Sequence, residues 1–279
     1  ANTMTGLVPN TLKDILGKAF QRKPGFWEKQ EPPEFWAILL RGAVVFIILF
    51  VLIVITYLKA KEHYTFNWTI LLGFKKAFFI GFLMTMKISV ATLFASIFFG
   101  TLLGLAGVSR FVLLRDLAKV YIEGIRNLPL LVIILLVYFG IGNIFHLSSF
   151  PAAVIALTAF EATFFAEIIR GGIQSIEMGQ MLSGRSLGLT HGMTMRHIIL
   201  PQALRRVVPA LAGQFINLVK DSSLASVISL VELTLIGRQI MTSTFAAFET
   251  YIAIALFYFV VCFLLSRLSH FLRKMLLAG

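Results

Sequence analysis

Residues 179–204 read GQMLSGRSLGLTHGMTMRHIILPQAL. Long apolar runs stand on both sides, yet here small, polar and basic residues take over. Between Gln180 and Leu200 no apolar run approaches the ~20 residues a helix needs to cross the ~30 Å hydrocarbon core. The pattern predicts two short helices. Met178, Met181, Leu182 and Arg185 fall on one face of the first, with Gln180, Ser183 and Ser186 turned away. Gly188 interrupts, because glycine readily takes the φ > 0 geometry of a helix end. Met195, Ile198 and Ile199 share one side of the second piece, flanked by Arg196 and His197. Pro201 is expected to force Leu200 out of the helical region and to open the next helix. An amphipathic, methionine-bearing hairpin of this kind suits adaptable binding of a partner protein.

The flanks set the class. The chain has 279 residues, 58% hydrophobic and 14% charged, with mean hydropathy +0.88. Soluble domains carry about 25% charged residues. Five stretches are long and apolar enough, or nearly so, to span a bilayer: 36–58, 78–106, 128–147, 151–169 and 251–266. A less regular sixth covers 207–236. Barrel strands would alternate in ~10-residue segments instead. The expectation is an all-α polytopic membrane protein with about six transmembrane helices. The first run starts at Phe35–Trp36 and is long enough to span, so it is taken as a true helix rather than a cleavable signal. Cys262, the sole cysteine, supports neither an internal disulfide nor a multi-cysteine metal site.

A net charge of +12 raises the question of nucleic acid, and its distribution answers it. If the polar stretch is cytoplasmic, residues 1–35, 107–126, 170–206 and 267–274 share that side and hold seventeen of the 25 Lys and Arg. The opposite loops, 59–76, 147–150 and 237–250, hold five; Arg41, Lys87 and Lys220 fall within spans. Lys and Arg gather in cytoplasmic loops. Both termini are therefore expected inside, with no nucleic-acid partner. Near the start, Leu12, Ile15, Leu16, Ala19 and Phe20 form an amphipathic stripe that suits either the membrane surface or ordinary terminal packing. A Pro-punctuated linker follows, up to the first span.

Several stretches together resemble the permease subunits of binding-protein-dependent ABC importers. That family's signature loop has a Glu-Ala-Ala triplet, then Gly after three residues, then Ile-x-Leu-Pro after nine more. Here Leu182, Ser183 and Gly184 occupy the triplet positions, followed by Gly188 and by Ile198-Ile199-Leu200-Pro201 at matching spacing. The triplet itself departs from the pattern. YIEGIRNLPLL (121–131), FFAEIIRGGIQSIEMGQ (164–180), RSLGL, LPQALRRVVPAL and NLVKDSSLAS resemble the polar-amino-acid branch. The likeness runs from about 66 to 272.

The resemblance implies a type I importer permease fold over 66–274, with an extra helix at 36–58 and a cytoplasmic segment at 1–35. It also implies a bacterial cytoplasmic membrane location and a pore made with a second permease subunit, identical or different. Further implied partners are an ABC ATPase subunit dimer and an extracytoplasmic amino-acid-binding protein. The hairpin 178–200 becomes the coupling element that seats in the ATPase. Gly179, Gln180, Leu182, Ser183, Gly184, Arg185, Gly188, Leu189, Met195, Ile198, Leu200 and Pro201 are its expected docking residues. Leu182 stands where the family often has an acid and so removes one charged contact. Docking is then weaker, or is made up by the partner permease, or is made up by apolar packing of Leu182 itself. ATP and Mg would be held by the partner ATPase subunit. No G-x-x-x-x-G-K-[ST] phosphate loop occurs in this chain, and GKAF at 17–20 lacks the preceding glycine and the hydroxyl. The five histidines are scattered, so no catalytic residue and no metal site is assigned.

Ionisable residues inside spans are costly and usually have a purpose. Those at issue are Lys87, Glu161, Glu167, Lys220, Asp221 and Glu232, of which Glu167 lies near a span end. One reading is a polar cluster that steadies an irregular fifth helix beginning at Pro209. The sharper one is a midplane site for a zwitterionic amino acid, with Gln214, Lys220, Asp221, Ser222, Ser223 and Glu161 as candidates. Gln214 and Asp221 lie two turns apart on one helix face. Lys87 and Lys220 point to an acidic or amide substrate first, whereas Glu161 and Asp221 leave a basic one open. A rival class is an ion-coupled secondary transporter or channel. It would show broken helices in symmetry-related halves, and no such pairing is evident.

Overall fold

The structure, a computed structural model, describes residues 35–277. The expected amphipathic helix and linker of 1–34 lie outside the described residues. The chain divides into one unit ending at Thr65 and another running from Phe66. In the first, α1 (Phe35–His63) is a single 29-residue helix whose stretch Gly42–Lys59 has mean hydropathy 2.6. At 1.5 Å per residue it is long enough to cross a bilayer.

The second unit is helical, and no strand occurs among the described residues. Its elements are α2 (Lys75–Gly107), α3 (Val112–Arg126) and α4 (Leu130–Leu135), the last continuing through a π-helical stretch to Phe145. Then come α5 (Ser149–Gln174), α6 (Met178–Ser186), α7 (His191–Thr194) and α8 (Leu200–Asp221). The chain ends with α9 (Leu233–Thr244) and α10 (Ala247–Leu277). Four helices, α1, α2, α5 and α10, are long and apolar enough to span. The count reaches six if each of two bent pairs is one span: 112–126 with 130–145, at 102°, and 191–228 with 233–244, at 51°. The expected all-α architecture holds.

The centre is α2 against α5. Along one face α2 buries Gly81, Thr85, Ser89, Thr92, Ser96, Gly100 and Gly104, and α5 buries Ala152, Ala153, Ala156, Ala162 and Ala166. In lipid no hydrophobic force draws helices together, so close packing of small residues supplies the attraction. Ile88, Ile133, Ile134, Leu157 and Ile228 fill the neighbouring core. The opposite faces expose Phe79, Phe94 and Phe98 on α2 and Leu256, Phe259 and Leu264 on α10.

Three expectations are corrected. The third span begins at Leu130 rather than 128, because Pro129 is extended (ψ 130°) and α3 is a separate amphipathic helix burying only Ala118 and Ile122. The fifth span in chain order, the less regular 207–236, does not start at Pro209, which sits inside α8, and it breaks after a 3₁₀ segment, Ser222–Ile228. Ser229 closes that segment in the left-handed region (φ 61°), and α9 occupies much of the expected loop 237–250. Nor does Pro201 expel Leu200 from the helix: Leu200 is α-helical (φ −59°, ψ −42°). A π-helical turn, Met195–Ile199, lies immediately before it. Its wider i→i+5 winding makes room for a ring that clashes with the preceding carbonyls of an α-helix.

Glu232 explains how the break is held. Although the sequence places it within a span, it is the N-cap of α9. It accepts from Leu235 N at 2.8 Å and Thr234 N at 2.9 Å. Tyr258 Oη of α10 donates to its Oε2 at 3.2 Å, and Thr85 of α2 lies 3.4 Å from the same oxygen. Thr85 Oγ1 in turn accepts from Leu233 N at 3.2 Å. One buried carboxylate thus ties three helices at the hinge. Glu232→Ala is expected to cost about 1–3 kcal/mol from the lost cap and the orphaned donors. Thermal unfolding in detergent checks this, and Glu232→Gln should recover part of the loss.

Candidate functional site

Two groups of residues stand out, at different depths. The first is the hairpin. Its first limb, α6, packs through Gly184, where an added Cβ would lie 2.5 Å from Thr194 Cγ2 and 3.0 Å from Ile198 Cδ1. Gly188 turns the chain at φ +82°, a conformation that favours glycine. Thr190 caps the second limb by accepting from Met193 N at 3.2 Å. The limbs rest on Ile169, Ile173, Ile176, Ile199, Ala203 and Val207, with Met181, Met195, Ile198 and Leu200 packed alongside. Arg206 ties the base, donating to Ser175 O at 2.6 Å and to Ser175 Oγ at 3.0 Å. Arg110 Nη2 meets His191 Nδ1 at 3.0 Å, joining the loop before α3 to the second limb.

The expected docking residues divide accordingly. Gly179, Gln180, Leu182, Ser183, Arg185, Gly188 and Pro201 are exposed. Gly184 is buried between the limbs, while Leu189, Met195, Ile198 and Leu200 are half-buried beneath them. Met178, Leu182 and Leu187 are 76%, 61% and 79% exposed. Of the face shared by Met178, Met181, Leu182 and Arg185, only Met181 turns in, and the other three point outward. Leu187, at the hairpin tip, escaped the sequence reading. Its signal was position alone, one residue before the turn glycine.

The second group lies between α5 and α8. Glu161 is fully buried on α5 and accepts at Oε2 from Gln214 Nε2 at 2.9 Å. Asn217 Nδ2 donates to Gln214 Oε1 at 3.2 Å. Asp221, one turn further along the same face, has its carboxyl within interaction distance of Glu161. Glu161 Oε1 meets no donor. Residues 214, 217 and 221 form one stripe at helical spacing, which is how Asn217 was detectable. Lys220, beside Asp221 in the chain, is exposed on α8, and among the described residues no ion pair engages it. Ser222 is buried, donating to Val219 O at 2.8 Å, and Ser223 is half-buried. The structure thus brings Glu161, Gln214 and Asp221 together, with Lys220 exposed beside Asp221 and Ser222 bonded locally to Val219 O.

The other membrane charges have local partners. Glu167 accepts from Arg170 at 2.7 and 3.1 Å, and Arg126 lies 3.9 Å away. Lys87 stacks over Phe150, 5.0 Å from the ring centre. Neither belongs to the Glu161 group. A buried carboxylate oxygen lacking a donor is energetically expensive unless a ligand or water supplies one. What the site can do chemically is receive a cationic donor, such as an ammonium.

A bent-helix membrane bundle with a polar, glycine-turned hairpin defines the class, and comparison with known proteins supplies the family. Residues 96–276 match the model described as binding-protein-dependent transport system inner membrane component. The chain belongs to that family of transmembrane transport components. The probable glutamine ABC transporter permease protein GlnM of Bacillus subtilis (strain 168) is 42% identical over 197 residues, covering 70% of this chain and 91% of that protein. The glutamine transport system permease protein GlnP of Escherichia coli (strain K12) is 35% identical over 212 residues, covering 75% and 97%. A crystal structure of an amino acid ABC transporter with histidines is similar at TM-score 0.72 and 36% identity, over 76% of this chain and 100% of that one. The chain is an integral membrane permease, and the rival reading as an ion-coupled transporter or channel is not favoured.

Proposed function

We propose that this chain is the translocation subunit of an ATP-driven importer for a polar amino acid with an amide or basic side chain. The observation that carries the substrate class is the Glu161–Gln214–Asp221 group, whose Glu161 Oε1 lacks a donor. An amino acid's ammonium satisfies that oxygen, while Gln214 and Asn217 offer both donors and acceptors to an amide. An acidic side chain is repelled by the two carboxyls, and Lys220, the cation expected to receive it, is exposed and not among the residues bonded to Glu161. That one relative named above is a glutamine transport system permease and the other a probable glutamine permease supports the amide.

In this reading a separate ATPase subunit binds ATP and Mg and docks on the hairpin. An external binding protein delivers substrate at the opposite face, and a second permease completes the pore. The excess of Lys and Arg in the segments sharing the hairpin's side supports cytoplasmic termini. Copurification with an ATPase subunit tests the assembly. For the site, transporter reconstituted with its ATPase and binding protein takes up labelled glutamine. Gln214→Ala and Asp221→Asn are expected to lower uptake at subsaturating substrate by about 2- to 10-fold each, the worth of one hydrogen bond. Selectivity and uptake unchanged in both variants would place the binding site elsewhere.

A further inference from the structure

At the hairpin end of the bundle a separate pocket of about 480 Å³ opens between α8 and α10. Arg206, Pro209, Ala210, Ser269, His270 and Arg273 line it. Ser269 Oγ donates to Pro209 O at 3.4 Å, joining the two helices at the pocket. No acidic side chain is among these lining residues. The helix α10 carries no Asp or Glu beyond Glu249, and α8 none before Asp221 at its far end. Among the described residues no ion pair engages Arg206 or Arg273. Arg206 is instead held in place by its bonds to Ser175, which fixes one guanidinium at the rim.

Two guanidinium groups, an imidazole and a hydroxyl converging without a carboxylate make an oxyanion receptor, and arginine forks suit phosphate geometry. The surroundings specify the source of that phosphate. Leu204 and Val208 on α8, and Leu264, Leu268 and Phe271 on α10, are exposed apolar side chains on these same two helices. A free anion has no use for such walls, whereas acyl chains do. We infer that this pocket binds the phosphate headgroup of an anionic phospholipid, with its chains lying along α8 and α10. Basic pockets between transmembrane helices on the cytoplasmic side take headgroups in this way.

Full chain purified in detergent and titrated with phosphatidylglycerol is expected to retain it in native mass spectra, in preference to phosphatidylcholine. Arg273→Gln removes one cation near the surface and is expected to lower that retention roughly fivefold, with Arg273→Lys recovering part of it. Arg267→Gln is the control: its guanidinium stacks on Phe263, 5.0 Å from the ring centre, and does not line the pocket. Retention should there stay at the wild-type level, with thermal unfolding verifying that all variants are folded. Equal loss in Arg267→Gln and Arg273→Gln would mean diffuse surface attraction and overturn the assignment, as would equal retention of phosphatidylcholine. Displacement of the lipid by millimolar inorganic phosphate would assign the pocket to a soluble anion and overturn it too.

Discussion

Gly100→Ala is expected to destabilise the folded bundle by about 1–3 kcal/mol, and Gly100→Val to prevent recovery of monodisperse protein. The reason lies in what a new Cβ would meet. At Gly100 it stands 2.5 Å from Phe165 Cβ, 3.1 Å from Ala162 O and 3.2 Å from Ala166 N. Two of those atoms are the backbone of α5 and the third is rooted on it, so no rotamer change relieves the clash. The helices must separate, and with them the contact made one turn away at Gly104, where a Cβ would lie 2.9 Å from Ala166 O. Gly237 provides the contrast. A Cβ there would come still closer to an atom, 2.0 Å, but that atom is Ile254 Cδ1, the far end of a flexible chain. Gly237→Ala should therefore cost less despite the shorter distance. Gly171 has nothing within 4 Å, and alanine there should stabilise the helix by roughly 0.5–1 kcal/mol. Thermal unfolding in one detergent gives the order. A Gly100→Ala protein as stable as Gly171→Ala would show that α2 and α5 do not pack as described. Because α5 also carries Glu161, separation of the helices should depress uptake along with stability.

What the sequence made legible follows from the range of each force. The apolar runs at 36–58, 78–106, 151–169 and 251–266 became α1, α2, α5 and α10, since span length depends only on local hydropathy. The breaks did not show. Ser229 adopts φ 61° without being glycine, and Glu232 caps α9 only because Thr85 and Tyr258 reach it from other helices. Pro201 was misjudged for a related reason: the rule about the residue before proline is local, and a π-helical turn can absorb the ring. Within the candidate site, Gln214, Asn217 and Asp221 share a face that spacing reveals. Their meeting with Glu161, 53 residues from Gln214, is tertiary. Lys220 adjoins Asp221 in sequence yet is exposed where Asp221 is half-buried, as consecutive residues on a helix must diverge.

Gly184→Val is expected to uncouple the hairpin from its ATPase. The hairpin's outward face depends on close approach of its limbs, and Gly184 is the point of contact. A Cβ at that position would lie 2.5 Å from Thr194 Cγ2 and 3.0 Å from Ile198 Cδ1. Thr194 cannot swing aside cheaply, for it is fully buried and its Oγ1 donates to Thr190 O at 3.0 Å. Valine therefore pries α6 from the second limb and scatters Met178, Leu182 and Leu187, the apolar side chains exposed on the hairpin where the ATPase is proposed to dock. Each such side chain is worth about 1.5–3 kcal/mol when fully buried, so losing the register of even one weakens docking about tenfold or more. Substrate-stimulated ATP hydrolysis and copurification of the ATPase should both fall by that measure. Gly192→Ala serves as control, since a Cβ there meets nothing within 4 Å. The permease alone should keep most of its thermal stability in Gly184→Val, because the α2–α5 packing lies in the spans and not in the hairpin. That separates lost coupling from lost folding. If Gly184→Val retained its ATPase and its stimulated hydrolysis at the level of Gly192→Ala, the hairpin would not be the element that transmits force.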